Sequence, residues 1–178
     1  MTKTTSPNSM DVKAFAKSQK LLTGETPLVE FERLRQDCCG EVAGAVSWSA
    51  QGAIQPDSAG KDSVWLHLEV KTKVPLACQR CLHPVGVDLW VEQDFRFVAD
   101  EATALAQDDE SEEDLLVLEE SFDLLSLIED ELLMSLPLVP MHQACLSEHV
   151  PTSSNESDSL GVKPNPFAVL ASLKTQKH

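Results

Sequence analysis

The chain has 178 residues, and 42% of them are hydrophobic, which is typical of a globular protein that buries a core of its own. Its 29 acidic and 14 basic residues give a net charge of −15, so the chain as a whole repels nucleic-acid phosphates. No run of about 18 apolar residues is present, which argues against a membrane-spanning helix. Residues 1–9 are polar and lack the apolar stretch of a secretory signal, and we therefore expect a cytoplasmic protein.

The charged residues are unevenly distributed along the chain. Residues 97–162 contain 17 acidic residues and no Lys or Arg. Acidic residues usually do no more than keep a surface solvated, but 66 residues without one base are more lopsided than solubility requires. The stretch fits a surface that attracts a basic partner. Any contact with RNA would have to be local, at four bases in the middle of the chain: Lys71, Lys73, Arg80 and Arg96.

The first third of the chain predicts a flexible tail, two helices and a strand. Residues 1–9 form the tail, and Ser9–Lys17 reads as a short helix capped by its first residue. Thr26–Gly40 reads as a second helix with proline at its first helical position. Its apolar stripe would be Leu28, Phe31 and Leu34. Val42–Trp48 alternates as a strand, which we expect to break at Gln51-Gly52.

Two stretches that alternate apolar and polar residues predict a β-hairpin. Val64–Lys71 and Val85–Glu92 each show the period of two that is typical of half-buried strands. Cys78 and Cys81 lie between them, at or near the tip of the hairpin. Pro75, near the end of the first strand, indicates an edge or a bulge there.

The second half predicts a loop, a strand, a helix and a terminal segment. Residues 100–114 are acidic and free of aromatic residues, which predicts a mobile acidic loop. Leu115–Leu118 reads as a short strand, and Ser121–Leu136 as a helix capped by its first residue and stopped by prolines. Residues 147–163 predict a disordered linker, and residues 164–178 a docked C-terminal tail.

We therefore expect a single α+β domain over residues 10–146, with the acidic loop inside it. Its sheet is antiparallel, either open or curled into a small partial barrel. The sheet carries the C-x-x-C β-hairpin and a few flanking helices.

Cys78 and Cys81 supply one half of a tetrahedral metal site. Structural zinc takes four Cys or His ligands, usually as two close pairs. The candidates for the second pair are His142 with Cys145, Cys145 with His149, and, next to the first pair, His83. The other interpretation is that the thiols are reduced, partly buried and unligated. The odd number of five cysteines argues against a disulfide framework.

A thiol redox pair is the other chemistry available to Cys78 and Cys81. A redox thiolate is commonly stabilised by a helix N-terminus that follows a strand. Here Pro84 and an alternating strand follow the cysteines, although Arg80 between them would favour a thiolate. The chain also lacks a G-x-S-x-G motif, an H-E-x-x-H motif and a glycine-rich phosphate loop, so we expect no enzymatic activity.

Three segments resemble the bacterial YceD family, also called DUF177. They are Leu76–Leu82, Leu132–Pro140 and Pro164–Lys174, and the resemblance covers about Ser9–Lys174. Members of this family are described as large ribosomal RNA subunit accumulation proteins, which are implicated in the synthesis, processing or stability of 23S rRNA. The motif residues that the resemblance marks are Cys78, Arg80, Cys81, Asn165, Pro166 and Phe167.

The resemblance implies a non-enzymatic ribosome-biogenesis factor. Its partner would be large-subunit rRNA or a pre-ribosomal particle, contacted through the hairpin bases, or a basic large-subunit ribosomal protein, held by the acidic middle of the chain. Two alternatives come from other functional classes. They are a thiol redox protein and a zinc-stabilised adaptor, both of which would use Cys78 and Cys81.

Overall fold

The computed structural model describes residues 6–57 and 60–145, which form one five-stranded sheet, four α-helices and two short 3-10 helices. The strands are β1 (Leu21–Pro27), β2 (Ala45–Pro56), β3 (Asp62–Ala77), β4 (Pro84–Val98) and β5 (Asp114–Val117). The α-helices are α1 (Val12–Ser18), α2 (Glu32–Asp37), α3 (Glu101–Gln107) and α4 (Leu124–Met134). The 3-10 helices are Leu28–Glu30 and Asp108–Glu110.

The strands lie side by side in the order in which they occur in the chain. β1 to β4 pair antiparallel, and β5 runs parallel to β4 beside Phe95–Val98. The predicted α+β fold with a mainly antiparallel sheet is therefore confirmed. β1 and β5 lie at opposite ends of this order, so the described strands do not close into a barrel.

The long β3–β4 hairpin is the largest pairing in the sheet, and it confirms the prediction made from the alternating residues. Its register runs through 14 residue pairs, from Val64 opposite Phe97 to Ala77 opposite Pro84. The cysteine motif therefore occupies the turn between the strands. Past Lys71, β3 no longer pairs with β2, so Pro75 lies at an edge of the sheet, as predicted. Its carbonyl accepts a hydrogen bond from the Cys39 N–H (2.7 Å).

The core lies between one face of the sheet and the helices. Leu66, Leu68 and Val70 alternate along β3 and are fully buried, as the period of two predicts. Buried side chains of α1, α2 and α4 pack against the same face. The opposite face carries the alternate residues of each strand, which are mostly polar and exposed or half-buried. Arg96 on this face is buried, under the segment that contains α3.

The predicted second helix is shorter than expected, because its first residues belong to β1. Thr26 pairs with Val46 in the sheet, and its hydroxyl accepts a hydrogen bond from the Trp48 indole (3.0 Å). α2 begins at Glu32 instead. Its first turn is capped from another helix, since the carboxylate of Glu129 accepts from the backbone N–H groups of two residues. These are Arg33 (2.7 Å) and Leu34 (3.2 Å).

The predicted break at Gln51-Gly52 is wrong, because β2 continues to Pro56. Gly52 is required for a close approach between elements rather than for a turn. A Cβ atom at Gly52 would lie 2.8 Å from Cα of Ala16 and 2.7 Å from the ring of Phe15, both in α1. The missing side chain lets α1 pack directly on the strand.

The segment predicted as an acidic loop contains α3 and a 3-10 helix. Asp100 caps α3 by accepting a hydrogen bond from the backbone N–H of Thr103 (2.8 Å). The residues that follow include three alanines and a leucine, which are good helix formers and outweigh the local negative charge. The loop prediction is therefore wrong over Glu101–Gln107.

Two helices are capped by an aspartate close to the serine that was predicted as the cap. Asp11, rather than Ser9, caps α1, and Asp123, rather than Ser121, caps α4. The two serines form a hydrogen bond with each other (Oγ to Oγ, 2.7 Å). Ser9, assigned to the flexible tail from the sequence, is thus attached to the start of α4.

The predicted linker and C-terminal tail lie outside the described residues, together with Asn165, Pro166 and Phe167. Among the described residues, no helix combines the length and the apolar composition needed to cross a bilayer.

The close approach at Gly52 makes a testable prediction. Gly52→Ala should lower the free energy of unfolding by about 1–3 kcal/mol, because the backbone of α1 must move to admit the methyl group. Gly86→Ala is the matched control: its Cβ would meet the flexible end of the Lys73 side chain, which can move aside. Urea unfolding of both variants measures the difference, and equal losses would contradict the role assigned to Gly52.

Candidate functional site

The turn at the hairpin tip is held by its own backbone. The Cys78 N–H donates to the carbonyl of His83 (3.0 Å), and the Leu82 N–H donates to the carbonyl of Cys78 (2.8 Å). Leu82 takes a left-handed backbone conformation, with φ 61°, which reverses the chain after Cys81. This tight turn brings the thiols of Cys78 and Cys81 close together.

The segment that follows α4 is hydrogen-bonded to this turn. The Gln79 N–H donates to the carbonyl of Pro140 (2.9 Å), and Nη2 of Arg80 donates to the carbonyl of His142 (3.1 Å). Because of these contacts, His142 and Cys145 lie beside the hairpin cysteines although more than 60 residues separate them in the chain. The predicted pairing of Cys78 and Cys81 with His142 and Cys145 is the arrangement that the structure contains.

The four side chains have the spacing of a tetrahedral ligand set. Their ligand atoms all lie within 4.8 Å of one another. Sγ of Cys78 is 3.8 Å from Sγ of Cys145, and Sγ of Cys81 is 3.4 Å from Nδ1 of His142. Around a tetrahedral zinc, two thiolates lie about 3.8 Å apart, and a thiolate and an imidazole nitrogen about 3.5 Å apart. The cluster could therefore hold a metal ion such as zinc.

The imidazole of His142 is oriented for metal binding. Its Nε2 lies 3.1 Å from the carbonyl oxygen of Pro84, which can only accept a hydrogen bond. Nε2 therefore carries the proton, and in the neutral ring Nδ1 is left with a lone pair directed toward the cysteines. Such a hydrogen bond from the outer nitrogen to a carbonyl is the usual support of a metal-bound histidine.

The environment of Cys78 favours a thiolate. Burial alone raises the pKa of this thiol, but hydrogen bonds from the backbone N–H groups of His142, Cys81 and Arg80 outweigh burial and lower the pKa to about 5. One of these bonds, from His142 N–H to Sγ, measures 3.4 Å. Because the thiolate is the form that binds metals, the lowered pKa of Cys78 favours its role as a metal ligand.

The pKa of the Cys81 thiol is shifted in the opposite direction from that of Cys78. The backbone N–H of His83 lowers the pKa of the Cys81 thiol, but burial and the neighbouring thiols of Cys78 and Cys145 outweigh it and raise the pKa. The side chain of His83, a candidate ligand from the sequence, donates instead from Nδ1 to the carbonyl of Cys81 (2.8 Å). His149, the other candidate, lies outside the described residues.

Three of the four predicted RNA-contacting bases are exposed. Lys71 and Lys73 lie on the polar face of β3, and Arg80 lies at the tip. Nζ of Lys73 is 3.6 Å from a carboxylate oxygen of Asp88. The tip half of the hairpin, from Val70 to its partner Val91, contains three bases and one acid, Asp88, so it is locally cationic.

Arg96 does not belong with these bases, and burial removes it from the predicted contact set. Only 2% of Arg96 is exposed, because the segment that contains α3 folds over it. Its three guanidinium nitrogens donate to side chains of that segment: Glu113, Gln107 (2.9 Å) and Ser111 (2.6 Å). The charge of Arg96 is thus used inside the fold.

Trp90 is a surface residue that the sequence reasoning missed. It lies opposite Lys71 in the β3–β4 register and is 65% exposed. Nζ of Lys71 lies 5.6 Å from the centroid of the Trp90 ring, which is within range of a cation–π interaction. The sequence did contain a signal for its exposure, since Trp90 is a large aromatic residue at a position that alternates with the buried residues of the strand.

Comparisons with known proteins agree with the resemblance seen in the motifs. The sequence model of a family described as "Large ribosomal RNA subunit accumulation protein YceD" matches residues 66–174. A curated protein of that name from Haemophilus influenzae is 42% identical over 114 residues, which cover 60% of this chain and 63% of the relative. No solved structure matches the chain. Because the family match extends over more than half of the sequence, the chain belongs to the YceD family of large ribosomal RNA subunit accumulation proteins.

Proposed function

We propose that this protein is a non-enzymatic biogenesis factor of the large ribosomal subunit, which supports the synthesis, processing or stability of 23S rRNA in the cytoplasm. The observation that carries the proposal is membership of the YceD family, together with the name of the Haemophilus influenzae relative. The locally cationic hairpin tip on an otherwise acidic protein supports it, because it offers a confined surface for RNA.

The cluster of Cys78, Cys81, His142 and Cys145 binds one zinc ion in this proposal. Four protein ligands fill all positions of a tetrahedral zinc, so the ion has no open position for a substrate and has a structural role. It joins the hairpin tip to the segment that follows α4. The zinc thereby fixes the shape of the surface that carries Arg80.

Burial argues against a redox role for the same cysteines. A redox pair needs an accessible thiolate of low pKa. Cys78, whose pKa is lowered, is fully buried, and Cys81, which is more accessible, has a raised pKa. The environment therefore suits metal ligands better than an exchanging thiol pair.

The RNA contact consists of Lys71, Lys73 and Arg80, with Trp90 as a stacking surface. The lysines and Trp90 lie on the same exposed face of the hairpin, toward the tip. Lysine neutralises backbone phosphates without reading sequence, and an exposed indole stacks on an unpaired base. This combination suits a single-stranded segment of rRNA better than a regular duplex.

A second candidate function is the escort of a basic ribosomal protein. It is favoured by residues 97–145, which contain 14 acidic residues and no Lys or Arg. Such a surface would attract a cationic protein and shield it from nonspecific RNA until it joins the particle. The two functions use different residues and are compatible.

The rRNA role is tested in cells. Cells that lack the protein should contain less 23S rRNA relative to 16S rRNA, and the wild-type gene should restore the ratio. Cys78→Ser should restore it poorly, whereas Cys39→Ser, outside the ligand cluster, should restore it fully. Northern blots give the ratio and immunoblots check that both variants accumulate. A normal 23S level without the protein would refute the proposed function.

Metal analysis tests the zinc site. Protein purified without chelator should contain one zinc per chain, and Cys145→Ser should lower the zinc affinity by more than the factor of about 10–100 that outer-shell changes cause. Cys39→Ser is the matched control and should bind zinc normally. Cobalt substitution adds a second readout, since tetrahedral thiolate sites give intense visible bands. A metal content near zero in the wild type would end the zinc proposal.

Binding to fragments of 23S rRNA tests the hairpin contact. Lys71→Glu with Lys73→Glu should weaken binding and reduce the slope of log K against log salt by about 2, since two phosphate contacts are lost. Trp90→Ala should cost about 1–3 kcal/mol and leave the slope unchanged. Lys13→Glu with Lys17→Glu, on the exposed side of α1, makes the same change in net charge. Equal losses in both charge variants would mean that the hairpin is not the contact.

A further inference from the structure

A groove between α3 and α4 has an apolar floor and an acidic rim. The floor is formed by β5, at the end of the sheet, and by side chains next to and within α4. The groove has a volume of about 410 Å³. Its apolar lining residues are Ala104, Leu115, Leu116, Val117, Phe122 and Leu127. We call this feature, with the rim residues named below, the acidic groove.

The rim of the acidic groove consists of four carboxylates without a base: Glu101, Glu119, Asp123 and Asp130. Asp123 caps α4, and Asp130 forms an ion pair with Arg33. Within residues 6–57 and 60–145, the side chains of Glu101 and Glu119 form no hydrogen bond or ion pair, and both residues are exposed. Two negative charges therefore flank an apolar floor and are available to a partner.

The apolar surface also extends beyond the groove, since Leu105, one helical turn after Glu101, is 73% exposed. Together with the apolar floor of the groove, Leu105 enlarges the apolar surface that a partner can cover.

We propose that the acidic groove binds a segment of a partner polypeptide in which Lys or Arg residues alternate with apolar side chains. The basic residues would pair with Glu101 and Glu119, and the apolar ones would pack on β5. RNA is disfavoured as the occupant, because its phosphates would meet four carboxylates at the rim, and Arg33, the base beside them, is already paired with Glu129 and Asp130. The inference rests on the escort function proposed above and names the surface that performs it.

A direct binding assay on the full chain tests the proposal. The probes are two fluorescein-labelled peptides of equal length and charge, one of alternating Lys and Leu and one of alternating Lys and Ser. The Lys–Leu peptide should bind at least about tenfold more tightly, because only it covers the apolar floor. Glu101→Lys with Glu119→Lys should weaken its binding by at least about tenfold. Glu119→Lys alone, outside any helix, should weaken it in the same direction if the double variant is unstable.

The matched control is Glu30→Lys with Glu41→Lys, which makes the same charge change at two exposed acids outside the groove. It should leave affinity within about threefold, since salt screens distant charges. Equal weakening in both double variants would overturn the proposal in favour of bulk attraction. Weaker binding of a labelled 23S rRNA fragment, assayed without peptide, to Glu101→Gln with Glu119→Gln would overturn it in favour of RNA, because the loss of two negative charges should otherwise strengthen RNA binding.

The chain's own C-terminal segment is tested as an occupant in the same assay. Lys174→Glu with Lys177→Glu, in the full chain, should leave peptide affinity unchanged. A gain of about tenfold would mean that this segment already competes for the groove, and the proposed partner would be overturned. The peptide assay does not measure rRNA, so a negative result in it does not contradict the proposed rRNA role. Conversely, a normal 23S level in cells without the protein would refute the rRNA role and would not change the measured affinity of the groove for the peptide.

Discussion

The pairing register of β3 with β4 determines where everything else in this protein lies. Side chains alternate between the two faces of a strand, so a shift of one residue would exchange the buried and exposed sets along the whole hairpin. The observed register buries Leu66 and Leu68 and exposes Lys71 beside Trp90. It also ends at Ala77, which leaves Cys78 as the first residue of the turn. Core, cationic face and ligand cluster thus follow from one pairing.

The segment between α4 and Cys145 shows why a metal site is physically useful at the tip. Its exposed apolar residues bury little surface: Leu138 is 100% exposed, Val139 56% and Met141 52%. Pro137 and Pro140 have no backbone N–H to donate. After Leu136, which packs against the core, hydrophobic burial therefore contributes little to the position of this segment, which depends on its hydrogen bonds to the turn and on the Cys3His cluster. A bound metal would convert these few contacts into a fixed connection.

The sequence alone predicted those parts of the structure that depend on side-chain periodicity along a strand or on the spacing of ligand residues. It identified the hairpin and two alternative sets of ligands, but the choice between them depends on the hydrogen bonds of the turn to Pro140 and His142. β1 was missed because it shows no alternation and contains Gly24, whose missing side chain admits the Trp48 ring. Arg96 was wrongly predicted to contact RNA, because the sequence does not show that its side chain is buried. Its burial depends on a tertiary contact with the segment around α3, which no local pattern reports.

The distance between the cationic tip and the acidic groove bears on how the two could act together. β5 and the groove lie beside Phe95–Val98, whereas the cationic surface extends from Trp90, opposite Lys71, to the turn that precedes Pro84, which is 5 to 11 residues away along β4. At about 3.3 Å per residue these separations are ~17 to ~36 Å, at least about twice the Debye length of about 8 Å at physiological ionic strength. The two surfaces therefore barely influence each other's potential. One molecule can therefore bind RNA at the positive surface and a basic polypeptide at the negative surface at the same time. The acidic groove would not repel the RNA, and the cationic tip would not repel the basic polypeptide.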